Sequence, residues 1–171
     1  MDLNLQNKIV FISSGDTDLA AACVLEFLNE GSQVITTVIS KAKINDLFRS
    51  FNSNLTYPNL RILEGDVTNK KDRDKFLPHI ESADILINHA PGPLAGNFFK
   101  WDEQDWSRAL NANFLSSLEM IKLALPGMKK RKLGKILNIS SMTAVYPMED
   151  FELSTVARTA LEGLIKSIAK K

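Results

Sequence analysis

The sequence predicts an α/β fold: a doubly wound parallel sheet in three α/β/α layers, short on its C-terminal side. Three observations carry this expectation. Short apolar, largely β-branched runs alternate five times with longer amphipathic stretches along the 171 residues. The apolar runs are nearly continuous, the pattern of strands buried on both faces and joined by right-handed helical crossovers. A composition of 44% hydrophobic and 24% charged residues suits one globular domain over residues 1–171.

Taken in order, residues 8–13 read as a buried strand and 19–29 as a helix ended by Gly31. Residues 33–39 form the second strand, 43–51 a helical stretch and 60–63 the third strand. Residues 70–80 are helical and 84–88 make the fourth strand. After a Pro/Gly loop, 103–130 form a long helical region, 135–139 the fifth strand and 152–171 a last helix.

With 21 Lys+Arg against 20 Asp+Glu, the net charge of +1 offers no long-range field for nucleic acid or an anionic membrane. The basic cluster Lys129, Lys130, Arg131, Lys132 and Lys135 lacks interleaved aromatics. It follows a helix, where cations complement the terminal dipole. Neither a signal peptide nor an apolar run near the roughly 18 residues of a membrane span is present, so a cytoplasmic protein is expected. Cys23 has no second cysteine to pair with and sits among apolar neighbours; His79 and His89 are too few and too far apart to suggest a metal site.

In such sheets ligands bind beyond the carboxyl ends of the strands. Function is therefore sought in the loops 13–19, 39–43, 66–68, 88–96 and 140–154. The first, Ser13-Ser14-Gly15-Asp16-Thr17-Asp18-Leu19-Ala20, lies where a dinucleotide-binding fold places its glycine-rich turn. Gly65-Asp66-Val67 follows the third strand, and Asn88-His89-Ala90-Pro91-Gly92 the fourth. Asn113 lies within 110–114, and Asn138-Ile139-Ser140-Ser141 closes the fifth strand. In this order the motifs resemble the short-chain dehydrogenase/reductase family, in its 3-oxoacyl-acyl-carrier-protein reductase-like branch, over the whole chain.

That resemblance implies a Rossmann-type fold, an NADP or NAD cofactor, and redox exchange between carbonyl and alcohol groups of a small molecule. It assigns cofactor contacts to Ser13, Ser14, Gly15, Asp18 and Leu19, to Ser40 and Lys41, to Asp66 and Val67, and to Asn88, His89 and Ala90. Asn113 and Ser141 take the places of the family's active-site asparagine and serine, and a homodimer or homotetramer is the expected state. The family continues past this last helix into a substrate lid.

The same register exposes departures. The family's catalytic tyrosine falls on Ser154 and its lysine on Arg158. An alkyl hydroxyl is a far weaker acid than a phenol and reaches less far, whereas Arg158 keeps a fixed cation. Tyr146, five residues beyond Ser141, is a candidate substitute phenol. The three motif glycines fall on Ser14, Asp18 and Ala20, with Asp18 expected to cap the helix and repel phosphates. The second strand ends without an acid, so Ser40, Lys41 and Lys43 favour NADP if a cofactor binds. Two readings stay open: an atypical oxidoreductase, with its proton from Tyr146 or water, and a non-catalytic relative used as a binding or subunit-interaction module.

Overall fold

In the computed structural model, which describes residues 3–51 and 57–169, five parallel strands form one sheet. They are β1 (Ile9–Ile12), β2 (Gln33–Val38), β3 (Leu60–Glu64), β4 (Ile85–Asn88) and β5 (Lys135–Asn138), in the order β3-β2-β1-β4-β5. Six α-helices connect and cover them: α1 (Asp18–Asn29), α2 (Lys41–Ser50), α3 (Lys70–Ser82), α4 (Glu103–Leu110), α5 (Ser116–Arg131) and α6 (Glu152–Ile168). The doubly wound three-layer architecture read from the sequence is the one observed. Beyond α6, the expected continuation to residues 170–171 lies outside the described residues.

Strand periodicity divides the core. From β1 and β4, Val10, Ile12, Ile85 and Ile87 point to one face, where they pack with Ala20, Ala21 and Val24 of α1 and Ile44 and Phe48 of α2. Phe11 and Leu86 point to the other face and meet Phe76 and Ile80 of α3 and Met120, Ile121 and Ala124 of α5. Both faces of the central strands are thus removed from water, which is why their sequences read as continuous apolar runs. Cover thins at the outer strand: Leu137 of β5 is 55% exposed, where the sequence predicted burial on both faces.

The strand order reverses between β1 and β4, the topological switch point where such sheets open a ligand crevice. Ser13 closes this crevice at its floor. Its N–H donates to the Ile87 carbonyl, and its hydroxyl donates to the His89 carbonyl (2.7 Å) while accepting the His89 N–H (2.8 Å).

The helix expected over 103–130 is not continuous. A π-helical turn, Asn111–Leu115, separates α4 from α5. Such a turn inserts one extra residue per hydrogen-bonded loop and re-aims the side chains around it. The flanking residues Leu110 and Ser116 keep right-handed helical backbone angles, so the helical run passes into and out of the turn without a break in the sequence pattern. In the cluster at 129–135, Arg131 donates to the carbonyls of Glu81 (3.0 Å) and Ala83 (2.7 Å), so its cation serves the end of α3 rather than that of its own helix and ties the two ends together. Cys23 packs against the first core cluster, and burial pushes its thiol pKa up.

Candidate active site at the carboxyl edge of the sheet

The turn after β1 keeps a phosphate-loop-like path with one glycine. Ser14 sits at φ +57°, the left-handed conformation that the motif's first glycine ordinarily supplies. Gly15 is required for a different reason: a Cβ there would collide with the Thr36 side chain of β2. Its N–H donates to the Thr37 carbonyl (2.8 Å), and the Ser14 N–H donates to Thr37 Oγ1 (3.2 Å). The turn is therefore stitched to β2 rather than left open.

Asp18 does not cap α1. Thr17 is the N-cap residue, and Asp18 occupies the first helical position with its side chain exposed, so its charge still faces the helix dipole from outside the fold. Leu19 is also exposed. The carboxylate that turns inward is Asp16, which the sequence reading passed over. Only 5% exposed, it accepts the backbone N–H groups of Ile39 (3.1 Å) and Ser40 (3.2 Å) on Oδ2. Ser40 in turn caps α2, accepting the Lys43 N–H (3.4 Å), and Lys41 lies 3.8 Å from Glu64.

Asp66 folds its own loop, accepting the Thr68 N–H on Oδ1 (2.7 Å), while Val67 is buried. Ser14, Thr37, Ile39, Asp66, Val67 and Ala90 line a cavity of about 200 Å³. Next to it, Leu94, Trp101, Arg108, Asn113 and Leu153 line a cleft of about 350 Å³. Pro91 and Ala112 belong to both walls, so the two spaces adjoin across them.

Asn113 sits inside the π-helical turn. It is buried, its Nδ2 donates to the Ala109 carbonyl (3.3 Å), and its Oδ1 has no partner at the cleft wall. Trp101 also lines the cleft, and its indole N–H is likewise buried without a partner. Asp105, held low in pKa first by the Asp102 N–H, pairs with Arg108, so this edge of the cleft carries paired charge.

At the end of β5, the Ser141 hydroxyl accepts from the Thr143 N–H (3.3 Å) and from Thr143 Oγ1 (3.1 Å). Thr143 Oγ1 lies 3.5 Å from Ser154 Oγ. Because Thr143 has one hydroxyl proton and gives it to Ser141, Ser154 is the donor in that contact. Ser154 is 4% exposed and replaces the phenol of the family with the inner end of a hydroxyl chain. Tyr146 does not substitute for it: the ring is 69% exposed and is absent from the cleft wall.

Arg158 is 7% exposed and stretches between two strand ends. Nη1 donates to the Ile139 carbonyl (2.9 Å) and Nη2 to the Ala90 carbonyl (3.1 Å), with Nε unpartnered. Asn88 and Asn138 join the same strand ends through an amide pair of 2.9 Å. Burial lowers the pKa of Arg158, and burial followed by the Arg158 charge lowers that of His89. Thr17 Oγ1 already donates to the Ser14 carbonyl (2.9 Å), so its contact with His89 Nδ1 (3.3 Å) places the ring proton on Nδ1. Among the described residues, no group of three or more His, Cys, Asp or Glu side chains could hold a metal ion. No described helix is long and apolar enough to cross a membrane.

A parallel sheet of this order, with its first turn closed onto β2 and its crevice at the switch point, defines the dinucleotide-binding class of α/β proteins. Within that class the chain belongs to the short chain dehydrogenase family, whose model matches residues 8–171. It is 32% identical over 166 residues to dehydrogenase/reductase SDR family member 6 of Rattus norvegicus, covering 96% of this chain and 65% of that relative. It is 24% identical to the 3-oxoacyl-[acyl-carrier-protein] reductase FabG of Thermotoga maritima, covering 99% of this chain and 70% of that relative. The fold superposes with a TM-score of 0.85 on L-sorbose reductase from Gluconobacter frateurii, solved with NADPH and L-sorbose. That match is 22% identical and covers 99% of this chain and 66% of the reductase. The chain thus spans a little under two thirds of the length of the SDR family member 6 relatives.

Proposed function

We propose that this chain is an atypical NAD(P)-dependent oxidoreductase that interconverts carbonyl and alcohol groups of a small, 3-oxoacyl-like substrate. The observation that carries this reading is the pair of adjoining spaces at the switch point, the smaller against the β1, β2 and β3 loops and the larger against Asn113. The residues present fit the adenosine half of the cofactor: Asp66 and Val67 flank the base end, and the Ser14 turn and Ala90 bound the rest. When bound, a nicotinamide dinucleotide supplies or accepts a hydride.

The chain's own residues then bind and polarise. Ser141 accepts twice from Thr143 and makes no donor bond among the described residues, which leaves its hydroxyl proton for a substrate oxygen. The chain Ser154 to Thr143 to Ser141 strengthens that donor, since successive hydroxyls polarise one another. None of these groups is an acid near neutral pH, so the proton on the product oxygen comes from water in the open cleft. Arg158 positions rather than reacts, fixing the ends of β4 and β5 to one another on one side of the crevice. Leu115 and Val156 are exposed on the α4–α6 side and would pack between copies in a homodimer or homotetramer, which light scattering of the purified protein would detect.

A second reading, a non-catalytic module that keeps the fold for binding, is favoured by Arg158. Both terminal nitrogens of the cation that should face a ribose are engaged by backbone carbonyls. Calorimetric titration with NADH and NADPH, followed by a reductase assay on a short 3-oxoacyl thioester, separates the two. Binding with slow turnover is expected. Binding without turnover selects the module, and no binding at millimolar cofactor rejects the oxidoreductase.

A further inference from the structure

We propose that Asp16 selects the cofactor, making the site one for adenine dinucleotides without a 2′-phosphate; the assignment rests on the nucleotide-binding reading above. Discrimination in these folds takes place where β2 ends, through an acid that holds the ribose 2′-hydroxyl or a base that accepts a 2′-phosphate. Here β2 ends on Val38, which is buried and offers neither group. The charge at that point comes instead from the turn after β1. Asp16 reaches across to the backbone of Ile39 and Ser40, and Ile39 forms part of the wall of the adenosine-side cavity.

This placement acts on a 2′-phosphate in two ways. It puts a carboxylate of like charge at the strand end, inside a poorly solvated turn where repulsion is weakly screened. It consumes two backbone N–H donors, of Ile39 and Ser40, that an incoming phosphate would need. It also adjoins a Ser40 spent as the cap of α2 and a Lys41 that leans toward Glu64, while the Lys41 and Lys43 side chains stay exposed to solvent. Both backbone bonds fall on Oδ2, and we assign Oδ1 to the ribose 2′-hydroxyl, the role an acid at the end of β2 would have. Lys41 and Lys43, which favour NADP by their place after β2, are exposed, whereas the Asp16 carboxylate is buried and bonded to Ile39 of the cavity wall.

The test uses probes that lack the nicotinamide half and needs no turnover. AMP and adenosine 2′,5′-bisphosphate are titrated by calorimetry into the full chain, with NAD and NADP as a second pair. The non-phosphorylated member of each pair is expected to bind on the order of tenfold more tightly or better. Asp16→Asn keeps an acceptor for the two N–H groups but removes the charge and the acceptor assigned to the 2′-hydroxyl, so AMP should bind more weakly and the ratio should narrow toward unity. Equal or tighter binding of the 2′-phosphorylated probes by the unaltered protein overturns the assignment to Asp16 and leaves the nucleotide site standing. Failure of all four probes to bind overturns both. An unchanged ratio in a folded Asp16→Asn protein also overturns it, and the wild-type comparison decides the matter if that variant does not fold.

Discussion

The two sides of the crevice have diverged from their family in opposite ways. On the β1–β3 side, motif residues are replaced but the backbone path persists: Ser14 holds the glycine conformation, Gly15 lies against Thr36, and a cavity remains between the loops. On the β4–α6 side, positions persist but their chemistry is turned inward. Arg158 is bonded to two carbonyls, and Ser154 ends a hydroxyl chain. Binding of a nucleotide draws mainly on backbone shape, which several side chains can support. Proton transfer draws on one group of suitable pKa and reach, which few replacements supply.

The sharpest way to break this contrast is to restore the missing acid. Ser154→Tyr combined with Arg158→Lys should raise carbonyl reduction by roughly 100-fold, the lower end of what a positioned general acid contributes. An unchanged steady-state rate would mean that the phenol is not what limits this side. The next effect is on stability. Arg158→Ala removes a buried clasp between β4 and β5 and should destabilise the fold by roughly 3 kcal/mol in urea denaturation, by lost charged hydrogen bonds and a cavity. Gly15→Ala, the matching lesion on the other side, forces the turn off Thr36 and should cost about 2 kcal/mol. If Gly15→Ala proved neutral, the turn would not be held against β2 as described.

A smaller effect is set by pH. The pKa of His89 is lowered by burial and by Arg158, and that of His79 by burial and by Arg61, from an ordinary 6.5. Above 6.5 both rings are neutral folded or unfolded, and no stability is lost. As the pH falls below 6.5 the unfolded chain takes up protons first, so stability drops through the window down to the depressed folded values. Melting temperatures across pH 5 to 8 should show this fall, and His89→Gln should flatten it more than His79→Gln because the His89 ring is more buried. Smallest of all, Ser14→Gly should stabilise by about 0.5 kcal/mol, the relief of a left-handed serine less the added freedom of glycine. A loss of stability there would mean that the Ser14 side chain contributes more than its backbone strain.

Much of the site was legible because its backbone positions follow from strand ends. Asp66, Val67, Ala90 and Asn113 line the two spaces at the crevice, Ser13 bonds across the switch point to His89, and Asn88 ends β4 and Ser141 follows the end of β5, where the alternation of strands and helices puts them. What escaped was side-chain direction within short turns. Asp16 and Asp18 are two residues apart in one polar turn, and nothing in their spacing says which carboxylate turns inward. Thr143 was likewise missed, although its place two residues after Ser141 is the spacing of a capped turn.

The order of the elements and the double burial of the central strands were determined by the sequence itself, because period and turn chemistry are local properties that neighbouring residues impose on one another. The partners of Asp16 and Arg158 were decided only by the tertiary structure. Asp16 meets a strand end 23 residues away, and Arg158 a loop 68 residues away. Those bonds depend on which loops the strand order β3-β2-β1-β4-β5 brings to one edge, and on a buried charge having to find whatever polar backbone is there.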